Sequence, residues 1–292
     1  MSVLAEFDGI RAALSAPGQP FELIERPIDG VPMQVYKHLP PNLSHMLVDA
    51  ERFADRTCLV AGDRRWTFGE FMPLAAGLAR IFRDRYGLRP GDRVALAMRN
   101  SPEWILGMFA AILAGATPVA INSRGTADDM AYTLKDAQAA ILLADRRRAD
   151  AIGGDYDGVL LIAEEAGGFR DRDGKALDIQ PARVEPSNAD QEEPGLILFT
   201  SGTTGRPKGA MLSHRSVSTF MLNLQHNGTV HLVRAAKKLG MDPAALAAVT
   251  PQYATFSTWP FFHMSGATSM ILGCVGIGGK IVMMERWDPG AA

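Results

Sequence analysis

The chain has 292 residues, of which 47% are hydrophobic and 21% charged, and its formal net charge is −2. This is the composition of a globular protein with one large domain or two smaller ones. The near-neutral charge gives no indication of a nucleic-acid partner or of binding to an anionic membrane surface.

Cysteine usage and the first residues favour a reducing, cytoplasmic location. Cys58 and Cys274 have neither metal-site nor redox-pair spacing, so we expect free thiols and no metal centre. Residues 1–18 contain early acids and no long apolar core, unlike a secretory signal. Residues 104–121 have the length of a membrane span, but a glycine and a proline interrupt them, and we interpret them as a buried helix followed by a buried strand.

The first predicted elements lie after a leader of about 40 residues. A helix is predicted over 42–55, followed over 57–68 by two short strands whose turn is at Gly62 and Asp63. The next helix begins with a capping box, formed by a threonine and a glutamate three residues apart at positions 67 and 70. Arginines cluster at 145–150, which we interpret as a solvated helix face.

Apolar strand patterns alternate with helical patterns along the next hundred residues. This alternation predicts an α/β fold with mostly parallel sheets covered by helices on both faces. We expect a leader over 1–40, a first α/β sub-domain over 41–166, a polar excursion or linker over 167–194, and a second α/β sub-domain over 195–292.

The stretch LFTSGTTGRPKGAMLSH, residues 198–214, follows a short apolar run that is typical of a buried strand. In parallel sheets, ligands bind outside the carboxyl ends of the strands, which is where this loop lies. Its glycines let backbone N–H groups approach an anion closely, and its hydroxyls and Lys208 add donors and a charge. The spacing is not that of a Walker loop. A phosphate-binding loop is favoured over an ordinary polar turn.

Residues 200–209, TSGTTGRPKG, resemble the signature phosphate loop of the adenylate-forming enzymes, a superfamily that includes acyl-CoA synthetases and peptide-synthetase adenylation domains. Segment 88–124 resembles the family's early strand–helix–strand segment. Segment 260–266 resembles the proline–aromatic–histidine–glycine segment of the acyl-CoA synthetase branch, and 278–289 resembles the strand and turn that follow it. The resemblance implies the N-terminal portion of an acyl-adenylate-forming ligase. The phosphate-binding residues it implies are Thr200, Ser201, Gly202, Thr203, Thr204, Gly205, Lys208 and Gly209.

The resemblance also implies a two-step reaction. A carboxylic acid, expected to be hydrophobic, attacks ATP with the help of Mg²⁺ to give an acyl-adenylate and pyrophosphate, and coenzyme A then displaces AMP. Lys208 and His263 are the implied catalytic residues. From the residues alone, His263 would more often be a core histidine; in acyl-CoA synthetases the matching histidine lies beside the bound carboxylate. Four apolar neighbours are candidates for the acyl pocket or for core packing: Trp259, Phe261, Phe262 and Met264.

Two departures from the family pattern are visible. Residues 226–256 are longer than the usual connection, and Asp242 with Pro243 predicts a short extra helix there. The second departure is at the end of the chain, where Asp288 and Pro289 have the pattern of a helix start. We therefore expect that a C-terminal portion of the same enzyme is missing and that the fragment is inactive alone.

Two other interpretations of the function stay open: an adenylating enzyme that loads a carrier protein or stops at the adenylate, and a non-catalytic nucleotide-binding module. His214 is expected to be structural.

Overall fold

The structure is a computed structural model that describes residues 2–200, 205–284 and Gly290. Within those residues, no helix combines the length and the apolar character needed to cross a bilayer. The apolar stretch that raised this question is a buried helix, Pro102–Leu113, followed by a buried strand, Thr117–Ala120, as predicted.

The regular elements of the described residues follow the predicted alternation. The helices are α1 (Val3–Ser15), α2 (Leu43–Asp49), α3 (Phe68–Asp84), α4 (Pro102–Leu113), α5 (Ala127–Asp136), α6 (Arg146–Ile152), α7 (His214–Leu239), α8 (Pro243–Val249) and α9 (Gly273–Gly276). The strands are β1 (Leu23–Ile28), β2 (Val31–Tyr36), β3 (Thr57–Ala61), β4 (Arg64–Thr67), β5 (Arg93–Ala97), β6 (Thr117–Ala120), β7 (Ile141–Asp145), β8 (Val159–Ala163), β9 (Phe169–Asp171), β10 (Pro194–Thr200), β11 (Lys208–Ser213), β12 (Ala254–Phe256) and β13 (Lys280–Met283). A 3₁₀ turn, Ala50–Phe53, follows α2, and a π-helix, Ser265–Leu272, precedes α9.

The chain forms two units, Met1–Pro40 with Ser218–Gln252, and Pro41–Val217 with Tyr253–Ala292. The first contains α1, the β1–β2 hairpin and α8, which Asp242 caps as predicted by accepting the N–H groups of the first turn. The second contains both larger sheets. The polar segment 167–194 was expected to separate two sub-domains, but it lies within the second unit. Strands from before and after this segment pair in the same sheets.

The larger sheet of the second unit has the strand order β11-β10-β6-β5-β7-β8-β9. Its five central strands are parallel, and the edge strands β11 and β9 are antiparallel to their neighbours. The second sheet has the order β12-β13-β3-β4, in which the predicted hairpin β3–β4 supplies the antiparallel edge. This arrangement confirms the predicted α/β fold with mostly parallel sheets.

Helices cover both faces of the larger sheet. On one face, a Cβ added to Gly107 of α4 would lie 2.3 Å from the Leu143 side chain, so a larger residue there would force that side chain to move. On the other face, α5 and α6 pack against alternate residues of the same strands. Their shared apolar cluster includes Ala95, Met130, Leu134, Leu142, Ala149 and Ile152. Alternate strand residues thus serve opposite layers, which is why the strands are apolar along their whole length.

An ion pair links the edge strand β4 to the first turn of α4. Arg64 Nη1 lies 3.0 Å from Oε1 of Glu103, a residue that is only 5% exposed. The Arg64 guanidinium also lies over the Trp66 ring, 5.3 Å from its centroid. Removing one partner of a buried ion pair destabilises a protein, because the other charge is left without compensation.

We predict that Arg64→Met destabilises the protein because it leaves the Glu103 carboxylate buried and unpaired. The expected loss in the free energy of unfolding is about 2–3 kcal/mol, below that of a fully buried pair since Arg64 is partly exposed. Urea denaturation would measure it. Arg65→Met is the matched control, because Arg65 is the exposed neighbour on the same strand. Equal losses in the two variants would contradict a stabilising role for the pair.

Candidate functional site

Polar side chains gather where the central parallel strands of the larger sheet end. Arg99 and Asn100 follow β5, Ser123 and Arg124 follow β6, and Arg148 lies in the first turn of α6, directly after β7. Because β5, β6 and β7 are parallel, their carboxyl ends meet at one edge of the sheet. This is the edge at which open parallel sheets bind their ligands.

A cavity of about 860 Å³ lies at this edge. Part of its wall comes from the residues that follow β12 and β13 of the second sheet, so strand ends of both sheets meet around it. It is lined by Arg99, Asn100, Ser123, Arg124, Arg148, Ser257, Thr258, Pro260, Phe262 and Met284. Three guanidinium groups and a few apolar side chains together suit a ligand that carries both negative charge and an apolar part.

Arg148 corrects one expectation from the sequence. The arginine cluster at 145–150 was expected to be a solvated helix face, but Arg148 is buried. Its Nε donates to the carbonyl oxygen of Ser123 at 2.9 Å, and its Nη1 lies 3.2 Å from Oδ2 of Asp145. The side chain turns inward because the end of β6 offers it an acceptor, and it thereby ties the ends of β6 and β7 together.

The predicted phosphate loop joins β10 to β11. β10 is parallel to β6, so the loop begins at the same carboxyl edge as the large cavity. At the base of the loop Thr200 pairs with Lys208, and Thr200 Oγ1 lies 3.5 Å from the Lys208 carbonyl oxygen. Ser201, Gly202, Thr203 and Thr204 lie outside the described residues. Gly205 has a φ of +88°, a conformation that favours glycine.

A smaller cavity of about 160 Å³ lies beside the loop. Residues from the ends of β6 and β10, from α5 and from the loop surround it. They are Ile121, Asn122, Asp129, Met130, Thr133, Phe199, Thr200, Gly205 and Pro207. The smaller cavity therefore lies between the described ends of the loop and α5, at the carboxyl edge of the sheet.

The residues after the loop's centre are held from two sides. The Arg206 guanidinium lies 5.0 Å from the ring centroid of Tyr132 on α5. Gly209 lies opposite Phe199, and a Cβ at Gly209 would lie 3.2 Å from that ring. Gly209 thus has a packing reason to be glycine besides the phosphate contact that the resemblance implies.

The Lys208 side chain is exposed on the edge strand β11. Among the residues that the structure describes, no carboxylate forms an ion pair with it. Its ammonium group is therefore available to an anionic ligand at the base of the loop.

The four apolar candidates for an acyl pocket lie in different surroundings. Phe262 lines the large cavity. Phe261 is fully buried and packs against Trp104, with ring centroids 5.4 Å apart. Trp259 is 55% exposed and Met264 is 44% exposed. The structure thus brings Phe262 alone of the four to the cavity wall, while Phe261 anchors the segment in the core.

His263 is exposed, which does not fit a core histidine. Its backbone N–H donates to the Pro260 carbonyl oxygen at 3.1 Å, and the Ser265 N–H lies 3.5 Å from its Nδ1. The imidazole therefore lies at a turn, next in sequence to Phe262 of the cavity wall, and is open to solvent.

Asn100 is a site residue that the sequence analysis did not single out. Its side chain bonds to the segment that carries Phe262 and His263, through Trp259 and Phe261. The rule that drew attention to the end of β10 also applies to the end of β5, where Asn100 lies, and would have indicated it.

His214, at the start of α7, is buried and structural, as expected. Its Nδ1 accepts the N–H of Leu43 at 3.3 Å. The close fit around it is visible at Gly195, where an added Cβ would lie 2.8 Å from Nδ1. His214 therefore fixes β10 and α2 to the beginning of α7, behind the loop.

Comparison with known proteins identifies a family whose profile matches most of the chain. The family profile described as "AMP-binding enzyme" matches residues 47–292. Feruloyl-CoA synthase from an Amycolatopsis species is 30% identical over 237 residues, which are 80% of this chain and 42% of that protein. Malpinin synthetase from Mortierella alpina is 31% identical over 189 residues, which are 64% of this chain and 2% of that protein.

The fold is shared with solved structures. The crystal structure of apo MatB from Rhodopseudomonas palustris superposes with a TM-score of 0.69 at 24% identity, covering 86% of this chain and 46% of MatB. The chain thus spans less than half the length of these relatives. At this level of identity the structural similarity concerns the fold alone.

We predict that His214 makes stability depend on pH. Burial lowers the pKa of His214 below its ordinary value of 6.5, although the carboxylates of Glu193 and Asp190 oppose this shift. As pH falls from about 6.5, the unfolded chain therefore takes up a proton before the folded protein does, and the free energy of unfolding decreases until the folded pKa is passed. Protonation of Nδ1 would also remove the hydrogen bond that the Leu43 N–H donates to it.

His214→Asn tests this prediction, because its Oδ1 retains the acceptor and does not titrate. Urea denaturation of both proteins between about pH 7.5 and about pH 5 should give a shallower loss of stability for the variant. His226, whose pKa burial also lowers, is present in both proteins and cancels in the comparison. Parallel curves would contradict the prediction.

Proposed function

Because the chain belongs to the AMP-binding enzyme family, we propose that the full-length protein is an ATP-dependent acid–thiol ligase acting on a hydrophobic carboxylic acid. The acid's carboxylate attacks the α-phosphorus of ATP, forming acyl-AMP and releasing pyrophosphate. The thiol of coenzyme A then attacks the acyl carbon, and AMP leaves as the thioester forms. Activation is needed because a carboxylate resists nucleophilic attack, whereas its mixed anhydride with AMP does not.

The observation that carries the proposal is the position of the TSGTTGRPKG loop. It begins at the carboxyl end of a buried parallel strand, and its base presents Lys208 without an ion-pair partner among the described residues. We propose that Lys208, Thr200, Gly205 and Gly209, with Ser201, Gly202, Thr203 and Thr204, hold the β- and γ-phosphates. An ammonium placed there stabilises the negative charge of the departing pyrophosphate.

The large cavity is the proposed place for the acid and its adenylate. Phe262 and Pro260 supply apolar wall, and the guanidinium groups of Arg99 and Arg124 supply positive potential for a carboxylate or a phosphate. His263 stands one residue beyond Phe262, and we propose that it contacts the reacting carboxylate. Trp259 and Met264 are exposed and Phe261 is buried, and none of these three residues is among those that line the cavity.

Magnesium is implied by the family's ATP chemistry. The residues that the structure describes contain no group of three or more His, Cys, Asp or Glu side chains placed to hold a metal ion. Asp129, the carboxylate beside the loop, already accepts a hydrogen bond from Thr126 Oγ1 at 2.8 Å. No step of the proposal is therefore assigned to a metal held by these residues.

The acyl acceptor has two candidates. The similarity to feruloyl-CoA synthase favours coenzyme A, since its match covers 80% of this chain. A carrier protein is the alternative acceptor, and the similarity to malpinin synthetase, a far longer protein of which the match covers 2%, is compatible with it. A non-catalytic nucleotide-binding role is the third candidate, and the complete phosphate-loop sequence argues against it.

We predict that Lys208→Ala lowers adenylation by the full-length protein by about 100-fold in kcat/KM for ATP, the scale for removing one charge-stabilising donor. The assay is ATP–pyrophosphate exchange with a panel of short, medium, long and aromatic acids, which also identifies the acid class. Lys175→Ala is the matched control, because Lys175 is an exposed lysine of the polar segment 167–194.

Three results of the exchange assay separate the candidate functions. Exchange that Lys208→Ala lowers by the predicted factor and that Lys175→Ala preserves supports the proposal. Unchanged exchange in Lys208→Ala would contradict the assignment of the loop. A folded, ATP-binding wild-type protein that supports no exchange with any acid would favour the non-catalytic role.

We predict that His263→Ala lowers thioester formation by about 100-fold, the scale on which misplaced reacting groups cost rate, while the variant keeps wild-type stability because the side chain is exposed. Thioester formation with coenzyme A would be measured beside thermal unfolding. His38→Ala, at another exposed histidine, is the control. A large fall in unfolding temperature together with normal turnover of the folded fraction would show that His263 is structural instead.

A further inference from the structure

Asn100 connects the carboxyl end of β5 to the segment after β12 through three hydrogen bonds. Its Nδ2 donates to the carbonyl oxygen of Trp259 at 2.8 Å and to the Ser257 hydroxyl at 3.2 Å. Its Oδ1 accepts the N–H of Phe261 at 2.9 Å. The amide can satisfy all three groups in one orientation only, because its acceptor faces an N–H and its donor faces two oxygen atoms.

The segment that Asn100 holds is one wall of the large cavity. Ser257, Thr258, Pro260 and Phe262 line that cavity, and Asn100 lines it from the opposite strand end. The segment begins at the sheet, where the Ser257 N–H donates to the Val282 carbonyl oxygen at 2.8 Å. Beyond that bond the chain leaves the sheet, and Asn100 supplies hydrogen bonds to the backbone of its next residues.

A second contact reinforces the same connection. The ring of Phe261 is buried against Trp104, which lies in the first turn of α4, four residues after Asn100. The β5–α4 connection thus holds Phe261 by its backbone through Asn100 and by its side chain through Trp104. Phe262 and His263 follow directly, so their positions relative to the strand ends depend on these two contacts.

We infer that Asn100 is a positioning residue for the proposed ligase reaction: it fixes the wall segment 257–262 and thereby sets where Phe262 and His263 meet the acid. The inference rests on the proposed function, because it assigns Asn100 to acid positioning and not to ATP binding. Misplacing a reacting group by about 1 Å costs on the order of 100-fold in rate, so loss of three hydrogen bonds at this wall has a measurable effect.

The test compares Asn100→Ala with the wild type in the full-length protein by ATP–pyrophosphate exchange. We expect kcat/KM for the acid to fall by about 10–100-fold, with KM for ATP unchanged, because the loop on β10 and β11 does not depend on Asn100. Asn100→Asp is the second variant. It retains the size and the acceptor for Phe261, loses the donors, and is expected to show the same selective loss.

Asn42→Ala is the matched control. Asn42 is also an asparagine that joins two segments of this unit, donating from Nδ2 to the carbonyl oxygens of Ser187 and Ala189 at 2.9 Å each, but it lies outside the cavity wall. It should lower the unfolding temperature and leave the kinetic constants of the folded protein unchanged. Hydrogen exchange at the Phe261 amide, faster in Asn100→Ala only, gives the structural readout.

The outcomes distinguish the inference from the function on which it rests. An active wild type with an Asn100→Ala variant that changes stability only, like Asn42→Ala, overturns the inference and leaves the proposed function in place. An equal fall in kcat/KM for ATP and for the acid, with a raised KM for ATP, also overturns it, because the effect would then be general. A wild type without exchange for any acid overturns the proposed function and the inference together.

Discussion

The parallel pairing of β10 with β6 is the constraint on which the candidate site depends. Ile197 lies opposite Val119 and Leu198 opposite Ala120, so β10 ends at the same edge as the central strands. If β10 ran the other way, the loop would leave from the opposite edge, far from the polar residues that follow β5, β6 and β7. Parallel pairing needs a long connection between the strands, and the polar segment that runs up to β10 is part of it.

Each of the two sheets supplies a different part of the proposed active site at this carboxyl edge. The larger sheet supplies the phosphate loop and the arginines at its strand ends, while the second sheet supplies the segment that carries Phe262 and His263. Elements from different sheets have to be aligned to a fraction of an ångström if they are to act on one ligand. Asn100 bridges the strand end of the first and the wall segment of the second, by bonds of 2.8 and 2.9 Å to two backbone groups.

The features predicted well from the sequence are those that short-range interactions determine. The capping box at Thr67 and Glu70 is present with both reciprocal bonds, because all of its atoms lie within four residues. The β3–β4 turn and the Asp242 cap have the same origin. Sheet membership was not predictable in this way. The pairing of β3 with β13 joins residues more than two hundred positions apart, and no local pattern encodes it.

The burial of individual side chains in the candidate site, like the sheet pairing, is determined by long-range contacts that the local sequence does not show. Apart from His263, residues 259–264 are all apolar, so the sequence contains no period that separates the buried Phe261 from the exposed Trp259. Phe261 is the buried one because its ring packs against Trp104 in the core. Arg148 likewise turns inward because the carbonyl oxygen of Ser123, 25 residues earlier in the chain, offers it an acceptor at that strand end.

The long-range hydrogen bonds of Arg148 and Asn100 also stabilise the backbone around the large cavity. Arg148 and Asn100 both use side-chain donors to satisfy backbone carbonyl oxygens at places where the chain has left a sheet. Such carbonyls cost free energy when they are shielded from water without a partner, so each bond also stabilises an irregular backbone next to a cavity. A cavity between strand ends needs irregular backbone, because regular ladders would close it. Arg148 and Asn100 therefore stabilise the irregular backbone beside the cavity, and Arg148 also places a guanidinium group at this edge.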